Sequence, residues 1–261
     1  MERTVIHHAR RALLVALALL ALPAPAHAGP RLAVAAAANL STAAEELKRG
    51  FEAEHPGVEV SLVLGASGTF FAQIQNGAPF DVFLSADREY PAKLVAAKLA
   101  SPSDERVYAY GKLVAWLPPG STVDLARRGL AALGDPSVRR IAIANPAVAP
   151  FGRATEAALR AAGVLDAVKG KLVLGTSVAQ AAQFATTGAA DVAFLPYSLT
   201  FGKGLSGGKV VPVPAGLYPR VEQSGVVLST ARDPGLARAF LAFVAGAKGR
   251  AILARYGYGL P

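Results

Sequence analysis

Gly65-Ala66-Ser67-Gly68-Thr69 ends an apolar run at residues 58–64, and a stretch with helical spacing, Phe-Phe-Ala-Gln-Ile-Gln-Asn-Gly, follows it. A glycine-rich turn with hydroxyls between strand and helix suits one of two chemistries. Ser67 is a nucleophile, or the helix start holds something small and negative. A serine nucleophile needs a base, most often His. Beyond the first 28 residues the chain has one histidine, His55, near the end of a helical stretch. Neither Gly-Ala-Ser-Gly-Thr nor Gly-Thr-Ser-Val-Ala (175–179) has the Gly-x-Ser-x-Gly form of a nucleophile elbow. No Ser-x-x-Lys surrounds Ser67. Metal chemistry is also poorly served. There is no cysteine, and Asp81, Asp87, Glu45 and Glu46 lack the alternating spacing of a calcium loop. Asp87, just after an apolar run, reads as a helix cap or rim residue. The Gly-Lys pairs at 111–112, 170–171, 202–203 and 208–209 do not have phosphate-loop spacing.

Anion capture by helix N-termini remains. Residues 36–41, 65–69, 145–152 and 175–180 are all strand-to-helix junctions built from small, hydroxyl or amide residues. Free backbone N–H groups and the positive end of the helix dipole favour a negative ligand there. Asn39 and Ser67 add side-chain donors, and Pro146 and Pro150 fix the third turn so that the N–H groups of Phe151 and Gly152 point into a cleft. None of these turns contains Lys or Arg. Neutral donors suit a fully ionised tetrahedral oxyanion better than a partly protonated phosphate, which offers a proton and benefits from an acceptor. Sugars are disfavoured because Trp116, the single tryptophan, lies in a strand.

These turns need a scaffold. The 261 residues are 52% hydrophobic, enough for one large α/β unit or two lobes. Strand signals at 31–38, 58–64, 81–85, 108–118, 141–145, 171–175, 191–196 and 225–230 alternate with helical stretches, which predicts parallel sheets covered by helices. Leu40, Ala44, Leu47 and Phe51 recur at helical spacing, with Asn39 or Ser41 as the cap. Residues 108–118 read as one long strand crossing between lobes, and 201–209 as a loop. Open α/β sheets bind ligands at strand carboxyl ends. Two such lobes face to face make a hinged solute-binding architecture.

The first 28 residues read as a secretory leader cleaved after Ala28: a basic start, an eleven-residue apolar run, and Ala26-His27-Ala28. Export to the periplasm as a soluble monomer is expected, and nucleic acid is not an expected partner. The formal charge is +9, or +7 without the leader. The surplus reads as a solvated basic surface or as an attraction for anions.

The blocks at 34–47, 65–87, 108–116, 141–159, 176–181 and 255–258 closely resemble the periplasmic molybdate-binding proteins of ABC importers, in order through most of 31–261. The resemblance implies an α/β, two-lobe type II periplasmic-binding-protein fold, each lobe a mostly parallel sheet flanked by helices. Lobe I would be 29–111 with 220–261 returning to it, and lobe II 112–219. It implies a non-enzymatic protein that closes over molybdate or tungstate and delivers it to a membrane permease. The bound metal would come as its oxyanion, with no direct protein–metal bond and no cofactor. The family's ligand positions fall on Asn39, with the backbone of Ala38 beside it, on Ser67, and on the backbone N–H groups of Phe151 and Val178. One branch has Ser at the first turn and uses a Tyr whose place falls on Pro196 here, next to Tyr197, a further candidate. The alternatives are a binding protein for sulfate or phosphate, and an exported serine hydrolase using Ser67.

Overall fold

The computed structural model describes residues 29–261; the leader and its cleavage after Ala28 lie outside the described residues. Ten strands follow in order. The first five are β1 (Arg31–Ala37), β2 (Glu59–Gly65), β3 (Val82–Ser85), β4 (Ala100–Gly111) and β5 (Leu113–Leu117). The others are β6 (Ile141–Ala144), β7 (Leu172–Gly175), β8 (Val192–Pro196), β9 (Lys209–Pro212) and β10 (Val221–Leu228). Between and after them come α1 (Ala44–Glu54), α2 (Ser67–Gln75), α3 (Glu89–Ala96), α4 (Pro150–Ala161), α5 (Val178–Thr186), α6 (Pro234–Ala245) and α7 (Ala247–Arg255), with shorter turns elsewhere.

Two five-stranded sheets result, ordered β2-β1-β3-β10-β4 and β7-β6-β8-β5-β9. The pairings make each sheet mixed in the same way. Four strands run one way, and one, β10 or β5, runs against them. The reversed strand of each sheet is the one that arrives from the other. The chain leaves the first sheet between Gly111 and Leu113 and returns between Pro212 and Val221. The single strand expected over 108–118 is therefore two, broken at Lys112, because apolar residues on both sides of the break serve different sheets.

The inner strands β5, β6 and β8 are apolar and buried throughout because both faces of their sheet are covered. Leu32, Val34 and Ala36 of β1 pack with Leu47 and Phe51 of α1 and Phe240 of α6, whereas Ala35 faces Phe70 of α2 and Leu94 of α3. In the second sheet Ile141, Ile143 and Phe194 join Leu159 of α4 and Ala181 of α5. The cap expected at Asn39 or Ser41 does not form. Residues 38–40 make a separate 3-10 turn, and α1 starts after Ala43 with no side-chain cap; Glu45 and Glu46 in its first turn complement the positive end of the dipole. The Asn39 amide is drawn inward instead, as described below.

Candidate functional site

The carboxyl ends of β1, β2 and β3 and the starts of α2, α4 and α5 meet around one small cavity. Its lining is Ala37, Ala38, Asn39, Gly65, Ala66, Ser67, Ala86, Ala149, Pro150, Phe151 and Val178. No lining residue is charged. Ala38, Asn39, Ser67, Phe151 and Val178 all lie on it, although they come from turns up to 140 residues apart in the chain. Among the described residues no cluster of His, Cys, Asp or Glu could hold a metal ion.

Each contributing turn is a helix start, where the first N–H groups have no partner within the helix. Pro150 is the first residue of α4 and carries no N–H, so Phe151 supplies the first donor of that helix. Gly152 follows because a Cβ there would lie 2.2 Å from the Ala144 carbonyl oxygen. Ser177 caps α5 by accepting from the Gln180 N–H at 3.4 Å, which leaves Val178 at the rim of the cavity.

Ser67 is 1% exposed and its Oγ accepts the N–H of Ala86 at 3.0 Å. That bond uses a lone pair and leaves the hydroxyl proton to donate. Among the described residues no His or Lys pairs with this oxygen. His55 sits in the turn after α1, stacked on Phe51 and within 3.1 Å of its carbonyl. Asn39, also 1% exposed, is more constrained. Its Nδ2 donates to Gln223 Oε1 at 2.8 Å and to the Tyr258 hydroxyl at 2.9 Å, while its backbone carbonyl accepts from Tyr258 at 2.7 Å and Ser198 at 2.9 Å. Burial pushes the Tyr258 hydroxyl well above its ordinary range, so it stays protonated. Tyr197 does not reach the cavity. It starts the 3-10 turn after β8, its N–H donates to the Lys112 carbonyl at 2.8 Å, and its ring packs on Phe201.

Contacts at the rim join the halves. The N–H of Gly68 donates to the Val148 carbonyl at 2.8 Å, an approach so close that a Cβ on Gly68 would lie 2.9 Å from the Val148 Cα. Arg153, in the first turn of α4, pairs with Asp87 beyond β3, with Glu89 at 3.3 Å, and donates to the Tyr90 hydroxyl at 3.1 Å. Burial pushes the Asp87 carboxyl up, opposed by the Tyr90 N–H, the Ser85 hydroxyl and the charge of Arg153. Asp87 is thus a rim residue with a partner across the cleft. Sequence reasoning missed Arg153, Gln223 and Tyr258. The signal for Arg153 was a cation at a helix N-terminus, where the dipole disfavours it unless an anion is near.

Residues 32–259 match the model of the bacterial extracellular solute-binding protein family. The chain is 40% identical over 249 residues to the molybdate-binding protein ModA of Rhodobacter capsulatus, covering 95% of this chain and 96% of the relative. The solved structure of the Azotobacter vinelandii periplasmic molybdate-binding protein superposes with a TM-score of 0.81 at 34% identity, over 88% of this chain and all but 1% of that one (99%). The sulfate-binding protein SubI of Mycobacterium tuberculosis shares the fold alone, with a TM-score of 0.73 at 18% identity, over 88% of this chain and 86% of that one. The chain belongs to the bacterial extracellular solute-binding proteins, within the family of the molybdate-binding protein ModA.

Proposed function

We propose that the protein captures molybdate, and tungstate with it, in the cavity between its two sheets and hands it to the membrane permease of an ABC importer. The observation that carries this reading is an uncharged cavity where the starts of α2, α4 and α5 meet the turn at residues 38–40. Asn39 and Ser67, with the backbone of Ala38, hold the guest from the first-sheet half, 29–111 with 220–261. The N–H groups of Phe151 and Val178 hold it from the half at 112–219. Every oxygen of the dianion accepts, and hydrogen bonds to a charged acceptor contribute about 1.5–3 kcal/mol each, so a handful suffices without a cation. Capture takes place in the periplasm, after cleavage behind Ala28, by a monomer.

Thermal-shift measurements with molybdate, tungstate, sulfate and phosphate test the reading. A ligand at a hundred times its Kd stabilises by about 2.7 kcal/mol. Molybdate and tungstate are expected to raise the melting temperature by several degrees and sulfate by less, on grounds of size. A larger shift with sulfate or phosphate would reassign the guest.

A further inference from the structure

The polar network behind Asn39 is complete except at two atoms. Asn39 Oδ1 and Gln223 Nε2 are buried and unpartnered among the described residues. Both belong to primary amides, and the two amides face each other, Nδ2 of Asn39 on Oε1 of Gln223 at 2.8 Å. With Nδ2 fully spent on Gln223 and Tyr258, the atom Asn39 has left for the cavity is an acceptor. An oxyanion has only acceptors to offer it.

Turning both amides by half a revolution removes the conflict. Gln223 Nε2 then donates to Asn39 Oδ1 across the same 2.8 Å, and its second proton reaches the Tyr108 hydroxyl, 3.2 Å away. Tyr108 can accept it because its own proton goes to the Ser85 carbonyl at 2.8 Å. Tyr258 donates to Oδ1, Ser198 keeps the Asn39 carbonyl satisfied, and Nδ2 of Asn39 is released toward the cavity. The number of internal bonds is the same in both arrangements, so a guest decides between them. We propose that Gln223 is a positioning residue that sets which end of the Asn39 amide faces the cavity, and that oxyanion capture turns the two amides together. This rests on the oxyanion-binding reading above and adds to it a residue that does not line the cavity.

A double-mutant cycle read by calorimetry with sodium molybdate tests it. Gln223→Met, of similar volume and without polar atoms, is expected to weaken molybdate binding about tenfold, the scale of one net hydrogen bond. Asn39→Ala is expected to weaken it at least as much. The double variant should bind no worse than Asn39→Ala alone, because Gln223 acts only through Asn39. Losses that multiply, or a Gln223→Met protein with wild-type affinity, would overturn the proposal. Should Gln223→Met fail to fold, nitrogen-15 spectra of the wild-type protein provide the second measurement. The side-chain amide signals of both Asn39 and Gln223 should move on molybdate addition, and an unmoved Gln223 signal overturns the coupling. A wild-type protein that binds no molybdate in the same calorimeter removes the functional reading itself. Wild-type binding with multiplying losses removes only the role of Gln223.

Discussion

The two ends of β3 both deal with negative charge, in opposite ways. Before its first residue stands Asp81, 1% exposed, a carboxylate the protein carries permanently. It accepts the N–H of Ala33 at 2.7 Å, the N–H of Arg232 at 2.9 Å, and the Arg232 guanidinium at 2.6 Å. After its last residue the Ala86 N–H orients Ser67 at the edge of a cavity without any charged side chain. A resident charge is best neutralised for good, and an arginine beside it does that. A guest must also leave. Neutral N–H and O–H donors arranged from two sides lose their grip together when the halves part, whereas a cation on one side would keep pulling on the guest after opening. On the proposed function, β3 has a structural anion site at one end and a releasable one at the other.

The strongest way to sharpen that contrast is to remove the resident anion. Asp81→Ala leaves two partly buried backbone N–H groups without their acceptor and Arg232 without its partner. It is expected to cost about 3 kcal/mol of stability by denaturant titration and to leave molybdate affinity unchanged, since the cavity lies beyond the other end of the strand. Burial alone would raise the Asp81 carboxyl, but bonds from Arg232 and the Ala33 N–H outweigh it and hold its pKa below the ordinary value of 3.8. The sign follows. The contribution is complete above that ordinary value and is lost as pH falls through the lowered one. Asp81→Asn should therefore flatten the acid limb of the stability curve and leave the neutral region parallel.

At the guest end the effects should invert. Ser67→Ala is expected to weaken molybdate binding by about 1.5–3 kcal/mol, the scale of one bond to a charged acceptor. The unliganded protein should lose only about 1 kcal/mol, because the Ala86 N–H is left unpaired. Calorimetry and melting of the same sample separate the two. Unchanged affinity would remove Ser67 from the site and leave the backbone donors alone.

Much of this scaffold is readable residue by residue. Val34 and Ala35 lie on opposite faces of β1 and are both fully buried, so the run reads as a covered strand. The turns at Ser67 and Phe151 announce themselves by glycine, proline and hydroxyl chemistry at a strand-to-helix boundary. What stayed hidden depends on partners far away. The first two-thirds of β4, Ala100 to Val107, is mostly polar and largely exposed, and it becomes a strand only by pairing with β10. The break at Lys112 is marked only by Gly111 and Lys112 in an otherwise apolar run. Asn39 has the local chemistry of a helix cap, and only Gln223 and Tyr258, 184 and 219 positions further on, turn it into the node of a buried network. Ala86 contributes an N–H and no side chain, so no residue type could flag it.

The smallest expected effect concerns a cation close to the cavity, Arg153. Arg153 is three residues beyond Pro150, near enough to suggest that its charge helps to hold a dianion. Its guanidinium is instead taken by Asp87, Glu89 and the Tyr90 hydroxyl, all from the opposite half of the cleft. On this geometry it fastens the rim and leaves the guest to the neutral donors. Arg153→Gln is then expected to weaken molybdate binding by only about 0.5–1 kcal/mol, the range of a partly exposed ion pair. Added salt should diminish the difference between the two proteins. Asp87→Asn should lower affinity by a similar amount, because either change breaks the same bridge. The charges make this decisive. Were Arg153 gripping the guest, its loss would cost as much as Ser67→Ala, and Asp87→Asn would free the cation and strengthen binding. Opposite signs for the two rim variants would mean that the guest end of β3 also relies on an arginine, and the contrast with Asp81 would fail.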